Sequence, residues 1–578
     1  MNNTLILMLL VLLQFARSSQ LLSSESADFV LHNGNVYTVD ANRSWADAVA
    51  IKDNKILYVG FDKQAVKYIN SNTKVIDLKG KMVLPGFQDS HIHPLSASLN
   101  SYSCSLFGLP SVEAYLIKIK QCVADNPDVK WLHGAGWSHR QFNGNYPDKK
   151  ILDKIESDIP LTLFSYDGHS LWANSKALEV AGVDDKIKDV TSGKIIRYNN
   201  SSEPTGLFLE DPAVNLVMHA KPKFTKRQLS DALFHVQKYL NSLGITSVQD
   251  ALIRIGGDDG IYNIIDTYYH ADKNDQLSLR INGALYWNPT KGMEQVEKMV
   301  NYRKQYSHDK FRVTSVKVWQ DGVMHTHTSH LLEPYKDKPE QTGLVMIAPD
   351  KLNKLVIELD KAGFQMHFHA DGDGAVRQCL NAIELALKQN GQTGNRHHIA
   401  HLELVHPDDI PRFRQLDVIA NVQPIWSTSK DYISDLIKVK IGEKRKRWLQ
   451  MNKSFLEQGV TVAYGSDWSV TTPNPMELIE AAVTRVRPSL PLKEKQASKP
   501  LLPDEVVSLA DAIASYTIQG AFVNHREQTT GSIEAGKLAD LVVLDNNLFD
   551  VDAKQISETK VLLTFMDGKI VHGNLPLD

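Results

Sequence analysis

Cysteine is scarce in this chain: three occur in 578 residues, Cys104, Cys122 and Cys379, and no two are spaced as CxxC. That excludes a thiolate zinc site on ligand count alone. Charge of one sign is also missing. Lys and Arg number 64 against 67 Asp and Glu, for a net charge of −3, and no basic stripe or arm stands out. A nucleic-acid partner is therefore not expected. Long apolar runs are confined to one place, the first twenty residues, MNNTLILMLLVLLQFARSSQ. Leu5 to Leu13 has the length of a signal-peptide core and is too short to span a bilayer comfortably. Ala16-Arg17-Ser18 has the small-x-small form of a cleavage site, although no Lys or Arg precedes the apolar run. Residues 1–18 are thus expected to direct export to the periplasm or outside the cell, with no stable membrane span left after their removal; the alternative is an apolar tail that frays or tethers. In an exported protein Cys104 and Cys122 could pair across the helix-like VEAYLIKIKQ; otherwise all three cysteines stay unpaired, with Cys379 in the core.

What the chain has in plenty is alternation. Both ends read as short strands with turn pairs between them: Asn33-Gly34 and Asp53-Asn54 near the start, Asp567-Gly568 near the finish. Two β-rich ends around a long middle predict a small β-sandwich assembled from residues 22–81 and 527–578. The middle, 82–526, alternates strand-like runs with amphipathic helical stretches. Eight candidate strands are legible, at 82–90, 244–250, 279–285, 312–319, 364–369, 397–402, 418–424 and 460–467. The fold class expected is α/β, a (β/α)8 TIM barrel, with residues of about 95–240 surplus to the count as a large insertion after the first strand.

In such a barrel the chemistry sits where strands end. His91 and His93 close the first strand, Lys317 lies near the end of the fourth, His369 ends the fifth, His401 the sixth and Asp467 the eighth. Alternate residues of a strand point to one face, so His91 and His93 can reach one metal. Imidazole and carboxylate suit Zn²⁺ and its first-row neighbours, which acidify bound water. A carboxylate must then take the proton from that water and return it to the leaving group, a role that suits Asp467. Each residue alone has an ordinary reading: a strand-end histidine is more often a hydrogen-bonded core or surface group, GSD is a common turn, and lysine is commonly solvated. Their occurrence in order at five strand ends is what carries the metal-site expectation.

The series LPGFQDSHIHP, KVWQDG, HFHADGDGAV, HHIAHLELV and YGSDWSV resembles the amidohydrolase superfamily, within it the YtcJ-like or amidohydrolase 3 branch, relatives of N-substituted formamide deformylase. The likeness extends through DGHSLWANSKAL (167–178), EPTGLFLE (203–210) and GSIEAGKLADLVVLD (531–545). It implies a barrel flanked by a β-sandwich and hydrolysis of a non-peptide, amide-type C–N bond in a small-molecule substrate. It further implies one or two divalent metal ions, expected to be zinc, on His91, His93, His369 and His401, with Asp467 as ligand and catalytic group. Lys317 matches a lysine that many superfamily members carboxylate to bridge two metals. His367 is left as a barrel-lining or supporting group, and Asp373 either orients a ligand or caps a helix. Trp137, His139, Asp167, His169 and Trp426 are candidates for substrate contact, and a homodimer is allowed for. Two competing readings are hydrolysis of esters or cyclic imides on the same metal set, and a barrel that binds without turnover.

Overall fold

A computed structural model of the chain describes residues 26–100, 103–142, 146–255, 264–428 and 438–576. The leader expected at 1–18 lies outside them. The chain ends form two stacked sheets. In the first, Phe29–His32 pairs with Ala48–Lys52 and Lys74–Asp77. In the second, Met82–Pro85 runs parallel to Asn35–Tyr37 and antiparallel to the C-terminal Leu541–Leu544, stitching the two ends together. Alternation along these strands serves two cores at once. Val83, Leu541 and Val543 face the core between the sheets, while Met82, Leu84, Val542 and Leu544 face the barrel core. Burial on both faces makes MVLP continuously apolar, so it merges in the sequence with the strand that follows. The expected single strand 82–90 is therefore two, and the barrel begins at Phe87 rather than 82.

The barrel strands are β1 (Phe87–Ile92), β2 (Ile245–Ile253), β3 (Arg280–Tyr286), β4 (Phe311–Trp319), β5 (Gln365–Ala370), β6 (His398–His401), β7 (Ile419–Val422) and β8 (Val462–Tyr464). They form one eight-stranded sheet in sequential order, paired parallel throughout. This is the (β/α)8 barrel. Its last seam, β8 to β1, is closed by individual bonds. Ser90 Oγ donates to the Tyr464 carbonyl (2.7 Å), Asp467 N–H to the His91 carbonyl (2.7 Å) and His93 N–H to the Trp468 carbonyl (2.9 Å). Gly465 is required at that seam: a Cβ there would lie 2.5 Å from the His91 Cβ.

Crossover helices cover the outside. The helix Lys226–Ser242 starts with a capping box between Thr225 and Gln228 and turns Leu229, Leu233, Val236 and Leu240 inward, the spacing of one helical face. Between β1 and that helix the chain builds a six-stranded sheet spanning Cys104 to Leu209, with apolar cores on both faces. A disulfide joins Cys104 on its edge strand to Cys122 on the helix Val112–Asp125. Cys379 is buried and free. No helix among the described residues is long and apolar enough to cross a membrane.

Candidate active site

The C-terminal ends of the barrel strands open into a cavity of about 560 Å³ lined by His91, His93, Lys317, His369, His401 and Asp467. All six candidate metal-site residues thus meet in one place. Asp467 Oδ1 lies 3.1 Å from His93 Nε2 and 3.4 Å from His91 Nε2. One donor atom each from His91, His93 and Asp467 falls within 4.8 Å of the other two. The ring of imidazoles continues from His91 to His401 (centroids 4.7 Å apart) and from His401 to His369 (4.4 Å).

The local backbone is bent to make this convergence. His401 (φ 79°) and Asp467 (φ 55°) both adopt left-handed conformations that cost a non-glycine residue energy. Burial keeps His91, His369 and His401 well below the usual histidine pKa, so they are neutral imidazoles with lone pairs to offer. Burial opposes ionisation of Asp467, but the hydrogen bond from His93 and the charges around it hold its carboxyl below the usual value.

Three of the four imidazoles have a partner behind them. His91 Nδ1 shares a hydrogen bond with His367 Nε2 (2.8 Å), which turns His91 Nε2 toward Asp467. His367 thus meets His91 from within the barrel. His401 Nδ1 meets Gln423 Oε1 (3.0 Å), and Gln423 Nε2 in turn donates to Asn421 Oδ1 (3.1 Å), which fixes the amide with its oxygen toward His401. His369 Nδ1 lies 3.3 Å from Asp321 Oδ1. Asp321 is itself held by the backbone N–H groups of Asp371, Gly372 and His330. Asp373 does not reach a ligand. It begins the helix Asp373–Asn390, and its Oδ1 accepts the N–H of Leu332.

Lys317 is buried at 1% exposure, and its Nζ has no hydrogen-bond partner among the described residues. Burial lowers its pKa to about 7, against the pull of Asp467 and Asp371. A half-neutral, unsatisfied amine beside three histidines and a carboxylate fits a position completed by metal or by carboxylation. The donor set as a whole, nitrogen and carboxylate oxygen without thiolate, fits a borderline divalent metal.

Of the five candidates for substrate contact, Asp167, His169 and Trp426 line the cavity. Trp426 stacks on His401 with centroids 5.4 Å apart. Trp137 does not line it: the indole is fully buried in the insertion core and donates to the Leu163 carbonyl. An aromatic residue in an apolar strand served packing there. His139 packs on Trp137, and its Nε2 meets Ser170 Oγ (2.8 Å).

Several site groups were not singled out from the sequence, although Glu210, Asp371 and Glu403 fall within the stretches that carry the family likeness. Glu210, in the left-handed region (φ 65°), pairs through Oε2 with His169 Nδ1 at 2.7 Å. Burial disfavours a charged His169, yet the Glu210 carboxylate outweighs it and raises the imidazole to a pKa of about 9. His325 Nε2 lies 2.6 Å from Asp167 Oδ2. Asp371 and Glu403 complete the wall beyond His369 and His401. Burial and the negative charge of Glu403 and Asp321 push the Asp371 carboxyl well above its usual range.

A (β/α)8 barrel whose strand ends gather imidazoles, a carboxylate and a buried lysine defines the barrel hydrolases. The amidohydrolase family profile matches residues 74–572, and the chain belongs to that family. Its relatives include Protein LONG AFTER FAR-RED 3 of Arabidopsis thaliana, 31% identical over 94% of this chain and 91% of that one. N-substituted formamide deformylase of Arthrobacter pascens is 27% identical over 94% of this chain and 98% of its own length. Among solved structures, an uncharacterised metal-dependent hydrolase of Pyrococcus horikoshii superposes with a TM-score of 0.70 at 24% identity, covering 91% of this chain and 99% of that one.

Proposed function

We propose that this hydrolase cleaves a non-peptide, amide-type C–N bond with one or two divalent ions, zinc in the first instance, held by His91, His93, His369, His401, Asp467 and Lys317. The observation that carries the reading is the approach of Asp467 Oδ1 to both His91 and His93 in the cavity at the barrel's C-terminal end. When bound, the metal supplies Lewis acidity: it acidifies water and polarises the substrate carbonyl. The chain's own groups do the rest. Asp467, ionised, accepts the proton of the attacking water and delivers it to the leaving nitrogen. The neutral histidines are oriented by His367, Gln423 and Asp321. The neutral form of Lys317 is the one able to add carbon dioxide, with loss of a proton, and the resulting carbamate would be a further oxygen ligand for the metal. Charged His169, fixed by Glu210 at 5.2 Å from the His369 ring, faces the cavity as a donor toward developing negative charge. Amide hydrolysis is favoured over ester or cyclic-imide hydrolysis by the full-length similarity to a protein described as a formamide deformylase.

The test is a panel of N-formyl and N-acyl amines, matched esters and cyclic imides, assayed with metal-replete protein. Turnover of the amides above the esters and imides is expected, and its loss in Asp467→Asn. Preferential ester or imide turnover, or no turnover of any substrate by protein with full metal occupancy, would overturn the reading. Export is proposed as well, supported by the leader pattern and by a disulfide, which persists in oxidising compartments. Mature protein beginning beyond residue 18 is expected in the exported fraction, whereas intact Met1 on cytosolic protein would contradict it.

A further inference from the structure

We infer that the substrate of this cavity carries a cationic nitrogen group, recognised by the carboxylates of Asp371 and Glu403. The inference names a substrate class for the site proposed above and so rests on that cavity being the substrate site. Four of the acidic groups lining the cavity already hold partners. Asp167 is taken by His325 and by the Ser165 hydroxyl. Asp211 is taken by Arg254, Tyr286 and Asn215. Asp467 faces His91 and His93. Glu477 accepts from Thr472 and Asn474. Asp371 is the exception: it is 3% exposed, it lines the cavity, and its Oδ1 has no hydrogen-bond partner among the described residues.

Glu403 stands beside it, 4% exposed and lining the same wall. The two carboxylates follow β5 and β6, two residues beyond His369 and His401 respectively. Asp321, behind Asp371, gives no relief. Its oxygens are filled by three backbone N–H groups, and it adds a third acid to the neighbourhood. Two buried carboxyl groups held together, one with an unpaired oxygen, carry a desolvation cost that a cation in the cavity would offset. A neutral or anionic substrate would leave that cost standing or raise it. The aromatic face of Tyr166 lines the same space and lies within the field of both carboxylates, a second favourable surface for a cation.

His91, His93 and Asp467 sit at the β8–β1 seam, while Asp371 and Glu403 sit past β5 and β6, beyond His369 and His401. A substrate whose cleaved bond lies at the seam and whose positive group lies against the pair carries its charge apart from that bond. Amides of diamines, or amides bearing a guanidinium tail, meet that description. A guanidinium, planar and permanently charged, matches paired carboxylate oxygens and is a poor metal ligand.

The experiment uses butylguanidinium and its neutral isostere butylurea as probes, with butyrate as the anionic control. Binding to the purified, metal-loaded protein is measured by calorimetry, without turnover. Butylguanidinium should bind at least about tenfold more tightly than butylurea, and butyrate should not bind this wall. The preference should fall to near unity in Asp371→Asn, and fall in Glu403→Gln, with unchanged metal content and melting temperature reporting intact folding. If Asp371→Asn does not fold, Glu403→Gln carries the test. Equal or tighter binding of butylurea, or a cation preference that survives in both folded variants, would overturn the inference. Because binding is read apart from catalysis, a protein that selects the cation but hydrolyses nothing would count against the proposed reaction and not against the cation site.

Discussion

His401 presents one ring nitrogen to the cavity because Gln423 Oε1 holds the other at 3.0 Å. The glutamine comes from the next barrel strand end and is pinned by Asn421, so its acceptor cannot turn away. Replacing Gln423 by Leu removes the acceptor and leaves the fold in place. Metal affinity should fall by roughly 10–100-fold, the usual cost of losing the partner of a metal-ligating histidine. Metal titration against a competing chelator measures it; unchanged affinity would mean that His401 is not oriented this way.

The His169–Glu210 pair lies within the insertion where it faces the barrel mouth, and its pKa gives it a pH signature. Folding raises His169 from the usual 6.5 to about 9, so its stabilising contribution is complete below pH 6.5 and lost as the pH climbs through 9. Glu210→Gln should destabilise the protein by about 3 kcal/mol at pH 6.5, as breaking a buried ion pair does. It should also flatten the loss of stability between pH 6.5 and 9.5 relative to the parent. Urea unfolding at the two pH values measures both, and parallel pH slopes would contradict the assignment.

Reduction should be felt in the insertion. The Cys104–Cys122 bond closes a loop across a sequence separation of 18 and is expected to contribute about 3 kcal/mol. Cys122→Ser, or a reducing agent, should lower the melting temperature of the parent, and the reducing agent should do nothing further to the variant. Phe107, a few residues past Cys104, lines the cavity, so a rise in KM is expected alongside.

Gly465→Ala places a methyl group 2.5 Å from the His91 Cβ, at the seam where β8 meets β1. Neither backbone can yield without moving a ligand. Loss of both stability and metal affinity is expected, measured by thermal unfolding and metal content; an alanine variant that binds metal normally would mean that the seam is looser than described.

Much of this site was legible in the sequence because barrels put function at strand ends, and His91, His93, Lys317, His369, His401 and Asp467 each lie at or near one. What was not legible depends on partners brought together by the fold. Glu210 meets His169 across 41 residues and Gln423 meets His401 across 22, and nothing in either local segment announces the contact. Asp321 gave no sign that three backbone N–H groups would lock it behind His369. Trp137 misled in the other direction, since an aromatic in a strand next to polar residues reads the same whether it faces a cavity or a core. The 82–90 run misled because burial on both faces erased the alternation that would have marked its break at Gly86.

The central claim is that His91, His93 and Asp467 form a metal centre on which hydrolysis depends. Elemental analysis of the purified protein, paired with activity before and after chelation and metal restoration, tests it most directly. The account predicts one or two divalent ions per chain, zinc foremost, with activity lost on chelation, restored on reloading, and absent together with the metal in His93→Ala. Full hydrolase activity in protein stripped of metal, or in His93→Ala without bound metal, would contradict it.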